Sequence, residues 1–107
     1  MLNKRKRLRS VEVEEVMKTG KSARSAHLQV KFVRTGAPLR SAAVVPKAVA
    51  RKATARNTLR RTLYRALVAS NMANYKGNAV FFVRLVPKSL AGPIFNEELM
   101  QLLPKLS

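Results

Sequence analysis

One stretch of the chain alternates between apolar and polar residues, and two others are almost continuously apolar. Residues 27–35 alternate in the way of a half-buried strand, with apolar positions at Leu28, Val30 and Phe32. Residues 39–45 are mostly apolar, which fits a central strand. Residues 79–86 are apolar with β-branched and aromatic side chains, and Pro87 follows them. The sequence therefore predicts strands at these three places.

Helical spacing marks three other segments of the chain. The first has glutamates near its start, which suit the positive end of a helix dipole, and the last has leucines at helical spacing. The first predicted helix runs over about residues 10–19, with Ser10 as its cap and Gly20 at its end. The second runs from a cap at Thr54 to about Ser70. The third begins at about Glu97, after a cap at Asn96, and ends at Pro104.

The connections between these elements complete the predicted order. Residues 21–26 are interpreted as a loop, residues 36–38 and 77–78 as turns, and residues 71–76 as a connection. Residues 46–53 fit either a loop or an early helical turn. The order is helix, two or three strands, helix, strand, helix, which predicts one small α+β domain over residues 1–107 with helices on one face of a mixed sheet.

The longest predicted helix has two chemically different faces. At 100° per residue, one arc holds polar and basic side chains: Arg56, Asn57, Arg60, Arg61, Tyr64 and Arg65. The opposite arc holds Ala55, Leu59, Thr62, Leu63, Ala66 and Ser70. Most basic helix faces are simply solvated, but no acidic residue lies between Lys18 and Pro93 to balance this one. The pattern favours a surface that binds a polyanion.

Composition strengthens that interpretation. The 107 residues carry 22 Lys and Arg against 5 Asp and Glu, a net charge of +17. Such an excess is most easily tolerated beside a polyanion, with nucleic acid as first candidate and an anionic membrane surface as second. No apolar stretch is long enough to span a bilayer. The absence of cysteine fits a reducing interior and predicts a cytoplasmic protein.

The residue types for protein-borne catalysis are scarce. The chain has no aspartate, its five glutamates cluster near the two ends, and His27 is its one histidine. Metal sites need converging carboxylates or imidazoles, and acid–base catalysis usually needs a pair of groups. We expect no catalytic residue and no metal site in the protein itself, and a surface position without a role for His27.

The central helix carries a recognisable motif. Its residues Arg56, Asn57, Arg60, Arg61 and Arg65 give the pattern Arg-Asn-x-x-Arg-Arg-x-x-x-Arg, which follows the basic segment 45–53. The motif and its setting resemble the bacterial ribonuclease P protein component. The resemblance covers essentially the whole chain, including the basic start at residues 1–9 and the late strand around Arg84.

The resemblance implies both a fold and a division of labour. The fold would contain a parallel strand pair joined by a left-handed crossover, against the usual rule. The protein would be a non-catalytic subunit of an endoribonuclease that cuts the 5′ leader from precursor tRNA. Catalysis would reside in a large RNA, with Mg²⁺ held mainly by that RNA and the substrate. No membrane and no obligate protein partner are implied. The run of basic residues at 1–9 is itself either a flexible arm that tightens on RNA or an ordered element, and the arm is favoured.

Site residues follow from the resemblance position by position. The motif residues Arg56, Asn57, Arg60, Arg61 and Arg65 would contact the catalytic RNA, and Lys47, Arg51 and Lys52 would extend that surface. A cleft between the first helix and the open sheet face would hold the single-stranded leader. Cleft positions that are often aromatic in the family are here Val13, Met17 and Lys31.

Other functions remain as alternatives. A structural RNA-binding protein, such as a small ribosomal protein, would share the size and charge but has no reason to carry the spaced Arg-Asn helix between strands. A membrane-active protein would need the apolar helix face that the core requires. A stand-alone nuclease would need carboxylates that the chain lacks.

Overall fold

A four-stranded mixed sheet forms the centre of the fold. The computed structural model describes residues 7–70, 75–88 and 93–106. In spatial order β1-β2-β4-β3, β2 pairs antiparallel with β1 and β4, whereas β3 pairs parallel with β4. The strands are β1 (Lys21–Arg24), β2 (Leu28–Pro38), β3 (Arg40–Val44) and β4 (Lys76–Val83).

Three α-helices complete the described part of the chain. They are α1 (Ser10–Thr19), α2 (Ala53–Ala69) and α3 (Ile94–Leu102), and a 3-10 helix (Leu103–Leu106) follows α3. The element order confirms the predicted α+β class. Of the two or three strands predicted between the first two helices, the structure has three. Because β3 and β4 are parallel neighbours, the chain must cross from one end of the sheet to the other, and α2 lies in that crossing.

The main core lies between one sheet face and the helices α2 and α3. Residues whose side chains alternate to that face are fully buried there, as are the apolar stripes of both helices. The cluster includes Leu28, Val30, Phe81 and Val83 from the sheet, Leu59, Leu63 and Leu67 from α2, and Phe95, Leu99 and Leu102 from α3.

The first helix covers the opposite sheet face. It packs against β2 and β4, and its buried Val16 lies outside the main cluster. Val80 and Ala42 pair across β4 and β3 and are buried on this second face. The prediction of helices on one face is therefore right for α2 and α3 and wrong for α1. The alternating residues of the central strands give the sheet two apolar faces.

Several predicted boundaries are wrong, each for a local reason. Residues 21–24 form an edge strand that is mostly exposed, so they carry no apolar alternation that could reveal it. The helix α3 begins at Ile94 because Ile94 and Phe95 already pack on the core. Caps were also misplaced, since Arg9, Lys52 and Pro93 occupy the cap positions in place of Ser10, Thr54 and Asn96.

Two predicted turns lie within strands. Gly77 belongs to β4, and its φ of +131° is a conformation that other residues rarely adopt. A Cβ there would lie 2.4 Å from the carbonyl oxygen of Val33, so glycine allows β2 and β4 to approach. Residues 36–38 belong to β2, whose register with β4 shifts between Val33 and Pro38. Most of the predicted arm (residues 1–6) and most of the predicted 71–76 connection (residues 71–74) lie outside the described residues.

Candidate RNA interface

The segment between β3 and α2 is a turn that presents basic side chains. The carbonyl of Pro46 accepts hydrogen bonds from the N–H groups of Val49 and Ala50, at 3.0 and 3.3 Å. The helix starts three residues after Ala50, which settles the ambiguity of residues 46–53 as a turn followed by the helix. The three predicted contact residues of this segment are all exposed beside the start of α2: Lys47, Arg51 and Lys52.

Arg56 holds this turn against the helix. Its Nη1 donates to the carbonyl oxygens of Ala50 at 3.1 Å and Arg51 at 2.7 Å, and the side chain is half-buried. Part of its donor capacity is therefore used inside the protein. Arg56 fixes the position of the exposed Arg51 as well as belonging to the basic motif.

The remaining motif residues form an open basic face. Arg60, Arg61 and Arg65 are exposed, and Asn57 is half-buried beside them. Arg60 donates from Nη2 to the Oδ1 of Asn57 at 2.6 Å, which orients that guanidinium along the helix. Neither Arg61 nor Arg65 makes a hydrogen bond or ion pair within the described part of the chain. This face can accept an anionic partner without first breaking internal ion pairs.

Tyr64 does not lie on the exposed face where the sequence placed it. Its side chain is only 8% exposed, and its hydroxyl accepts a hydrogen bond from the N–H of Ala43 at 3.2 Å. The ring therefore packs beside the edge strand β3, and the hydroxyl satisfies one backbone N–H group of that strand. Ala55, predicted to face the core, is exposed in the first turn of α2. The predicted core positions Leu59, Leu63 and Ala66 are confirmed.

The basic N-terminal segment lies along the same edge. Leu8 donates its N–H to the carbonyl of Ser41 in β3 at 3.0 Å, and the guanidinium of Arg7 lies 5.4 Å from the centre of the Tyr64 ring. Arg40 donates to the carbonyl of Arg7 at 2.9 Å and also forms an ion pair with Glu12. These contacts place the segment between β3 and α1 beside α2, and they add positive charge next to that helix, which carries the basic motif.

Glu12 stabilises the junction of this segment with α1. Its Oε1 accepts the N–H of Arg9 at 3.0 Å, and this bond is the main reason why the pKa of Glu12 is lowered. The guanidinium of Arg40 lowers the pKa further. The carboxylate therefore stays charged at neutral pH, and it neutralises one cation of an otherwise basic region.

The predicted cleft residues lie on α1 and on the sheet face that α1 covers. Val13 is half-buried and Met17 is 39% exposed, on the helix that packs against β2 and β4. Lys31 is half-buried and pairs with Val80, so it shares the face of the sheet on which α1 lies. The structure thus brings all three to one side of the sheet.

A buried polar cluster was missed by the sequence analysis. Glu98 of α3 is buried, and its carboxylate accepts hydrogen bonds from the hydroxyl of Ser25 and from the backbone N–H of His27, the latter at 2.6 Å. The carboxylate is also paired with the Nδ1 of His27 at 2.8 Å. Burial alone would raise the pKa of Glu98, but the hydrogen bonds from Ser25 and His27 outweigh it and lower the pKa. His27 is therefore half-buried and paired, which corrects its predicted surface position.

The cluster ties α3 and the end of β4 to the start of β2. Arg84 donates its N–H to the carbonyl of His27 at 2.7 Å and its Nη1 to that of Ser25 at 2.9 Å. Arg84 lies just past the end of β4. The sequence did contain a signal for the burial of Glu98, because helical spacing places it between Phe95 and Leu102 on the apolar stripe of α3.

Two other features of the described residues bear on function. No group of three or more His, Cys, Asp or Glu side chains in this part of the chain is placed to hold a metal ion. No helix among residues 7–70, 75–88 and 93–106 is long and apolar enough to cross a membrane.

Known proteins resemble the chain in both sequence and fold. A family model for ribonuclease P matches residues 2–107. The ribonuclease P protein from Thermotoga maritima, in complex with 1-(4-fluorophenyl)-2-thiourea, is 26% identical with a TM-score of 0.73, over 94% of this chain and all of that one. Another structure of the Thermotoga maritima ribonuclease P protein is 29% identical with a TM-score of 0.67, over 94% of each chain. No curated protein sequence matches. The chain therefore belongs to the ribonuclease P protein family, and the ribosomal alternative is not favoured.

Proposed function

We propose that this member of the ribonuclease P protein family binds the catalytic RNA of the enzyme through the basic face of α2 and the turn before it. The observation that carries the proposal is the set of exposed arginines Arg60, Arg61 and Arg65, none of which pairs with an acidic side chain in the described part of the chain. Lys47, Arg51 and Lys52 continue the charge to the N-terminal end of the helix, where backbone N–H groups also favour phosphate.

The RNA partner would supply the chemistry. The chain has no aspartate and no acidic residue between Lys18 and Pro93, so its basic surface has no carboxylates that could hold Mg²⁺. Mg²⁺ would be held mainly by the catalytic RNA and the substrate. By neutralising phosphates, the protein would reduce the repulsion between the two RNAs and so lower the magnesium concentration that the particle needs.

The second proposed contact is with the 5′ leader of precursor tRNA. The leader would lie on the sheet face beside α1, where Val13, Met17 and Lys31 are brought to one side. None of the three has an aromatic ring, so the contact there would rest on apolar packing and the charge of Lys31. Binding of the leader would raise the affinity of the particle for precursor tRNA relative to mature tRNA, which has no leader.

Reconstitution tests the proposed function directly. A bacterial ribonuclease P RNA is incubated with precursor tRNA at a magnesium concentration too low for the RNA alone, with and without the protein. We expect the wild-type protein to restore 5′ leader cleavage and the Arg60→Ala/Arg61→Ala variant to restore little. The control Lys76→Ala/Lys88→Ala removes the same charge from exposed positions elsewhere and should behave as wild type.

The outcomes separate the competing functions. Tight RNA binding by the wild-type protein without restored cleavage, with several bacterial RNAs, would contradict the subunit function and favour a structural RNA-binding role. Equal loss of activity in the control variant would show that net charge alone, and not the face of α2, is responsible.

A further inference from the structure

The helix α1 leaves one end of its sheet face open. At its start, Glu12 pairs with Arg40 of β3. Just past its other end, Gly20 lies against β2, where an added Cβ would come within 3.1 Å of the backbone nitrogen of Phe32. Each strand residue advances about 3.3 Å, so Val44 lies about 13 Å beyond Arg40, whereas a helix with its side chains reaches about 5–6 Å from its axis. The sheet face at the level of Val44 is therefore beyond the reach of α1.

A row of four side chains crosses this open end of the sheet. The register pairs Phe82 of β4 with Val44 of β3 and with Gln29 of β2, and Gln29 pairs in turn with Arg24 of β1. Arg24 is exposed and the other three are half-buried, whereas both chain neighbours of Phe82 are fully buried on the other face. The Nε2 of Gln29 donates to the hydroxyl of Ser22 at 2.9 Å, as expected for two residues on one face.

This row shares its face with the proposed leader cleft. Lys31 pairs with Val80, and Phe82 lies two residues further along β4. Because strand residues alternate between the two sides, Lys31 and Phe82 point to the same face. Such diagonal neighbours lie about 7–8 Å apart, within reach of an aromatic and a long side chain. A single strand held by Lys31 beside α1 would therefore reach the ring of Phe82 next.

The charge of this face suits a nucleic acid strand. Neither Arg24 nor Lys31 makes a hydrogen bond or ion pair within the described part of the chain, and the four strands contain no acidic residue. The half-buried ring of Phe82 lies between these two cations. Single-stranded nucleic acids bind to such surfaces, because a base stacks on the ring while the phosphates meet the cations.

The open end of the sheet also adjoins the interface proposed for the catalytic RNA. Val44 is the last residue of β3, and the turn that presents Lys47 begins at Pro46. A strand that crosses Phe82 would therefore lie beside the basic turn. A leader bound in this way remains next to the RNA that would cut it.

We propose that Phe82 is the residue on which one base of the 5′ leader stacks, and that Arg24 binds a phosphate of the same strand. The inference rests on the proposed function for the identity of the RNA. The cleft positions Val13, Met17 and Lys31 have no ring, and Phe82 supplies the aromatic contact from β4.

The contribution of the leader provides the test. It is measured as the ratio of the affinities of the reconstituted particle for precursor and mature tRNA. Phe82→Leu keeps an apolar side chain without the ring, and it should lower this ratio about five-fold or more, with the salt slope unchanged. The control Phe32→Leu removes a ring that packs against the main core on the opposite face, so it should keep the wild-type ratio. Melting curves verify that both variants fold.

A second pair of variants tests the phosphate contact. Arg24→Gln should reduce the salt slope of log K for precursor tRNA by about 0.7, without changing the slope for mature tRNA. The control Lys21→Gln removes the same charge from the same strand, but Lys21 pairs with Phe32 and lies on the opposite face, so the slope should not change. Both residues are exposed, so this comparison remains decisive if Phe82→Leu does not fold.

Three results would overturn the assignment. The first is a wild-type ratio of precursor to mature affinity in folded Phe82→Leu. The second is an equal loss in Phe32→Leu, which would show that the face of the ring does not matter. The third is a wild-type salt slope in Arg24→Gln.

Failure of this assignment and failure of the proposed function give different results. Affinity for the catalytic RNA is measured in every variant, and we expect all four to keep it. If the wild-type particle bound precursor and mature tRNA equally, the proposed leader contact would be wrong. The role of Phe82 would then be decided by titrating the protein alone with oligouridylate, where equal affinity of the wild type and Phe82→Leu would overturn it.

Discussion

Tyr64 joins the helix that carries the arginines to the edge of the sheet. Its hydroxyl satisfies the N–H of Ala43, and its ring faces the guanidinium of Arg7. One side chain thus positions both the motif helix and the basic N-terminal segment. Helical phase alone placed it with the arginines, because at 100° per residue it falls between Arg60 and Asn57.

Removing the Tyr64 hydroxyl tests this positioning role. Tyr64→Phe should lower the free energy of unfolding by about 1–3 kcal/mol, because the ring still packs while the N–H of Ala43 loses its acceptor. Affinity for RNA should change little, since the exposed arginines are untouched. Chemical denaturation measures the first effect. An unchanged stability would contradict the assigned hydrogen bond.

Glu98 is the residue whose ionisation should matter most for folding. Its pKa is lowered in the folded protein from an ordinary value of 4.5, so its contribution to stability is complete above that value and is lost as the pH falls through the lowered pKa. Glu98→Gln should destabilise the protein at neutral pH by about 1–3 kcal/mol, because donors in Ser25 and His27 lose a charged acceptor.

The pH dependence provides the control for this prediction. Denaturation at a series of pH values should show wild-type stability falling below about pH 4.5, with a shallower fall in Glu98→Gln. Some acid sensitivity should remain in the variant because the pKa of Glu12 is lowered as well. Identical pH profiles for the two proteins would contradict the role of Glu98.

At the scale of elements, α2 has to satisfy two requirements at once. Its buried stripe of Leu59, Leu63 and Leu67 packs on the sheet, and its opposite side remains basic. The packing fixes the rotation of the helix, and the rotation decides which arginines are exposed. The fold thereby determines the interface.

Paired substitutions on α2 test that rotation. Leu63 is fully buried, so Leu63→Asp should cost several kcal/mol and unfold the domain. Val68 is 52% exposed on the same helix, so Val68→Asp should leave most of the stability intact. Thermal melts of both variants measure the difference. Similar melting temperatures would mean that the helix is rotated differently.

The sequence predicted elements well where apolar periodicity was strong and poorly where it was weak. The helix at residues 10–19 agrees with the structure, and the core strands agree in type because their buried positions alternate, although β4 runs over Lys76–Val83 and not over residues 79–86. The edge strand β1 was missed because it is held by backbone pairing to β2 and buries little. Residue periodicity also cannot reveal that α1 covers the second face of the sheet.

The candidate RNA interface was predictable from the sequence only in part. Exposure of Arg61 and Arg65 follows from helical phase, because both lie opposite the apolar stripe of α2. The internal bonds of Arg56 and the pairing of Glu98 with His27 depend on contacts between distant parts of the chain, which spacing does not show.

At the scale of the whole molecule, the net charge of +17 makes association with RNA strongly dependent on salt. Charge alone would give diffuse binding, to which any surface cation contributes. In the described part of the chain, exposed arginines without acidic partners are concentrated on one face of α2, so we assign them a larger share of the binding than other cations.

The most direct test measures affinity for the catalytic RNA as a function of salt. Wild type, Arg60→Ala/Arg61→Ala and the control Lys76→Ala/Lys88→Ala are compared, with circular dichroism to verify folding. We expect the arginine variant to bind more weakly, with a slope of log K against log salt reduced by about one for each lost phosphate contact, and the control to stay close to wild type. Equal slopes for the wild type and the arginine variant would contradict the assignment of α2 as the RNA interface.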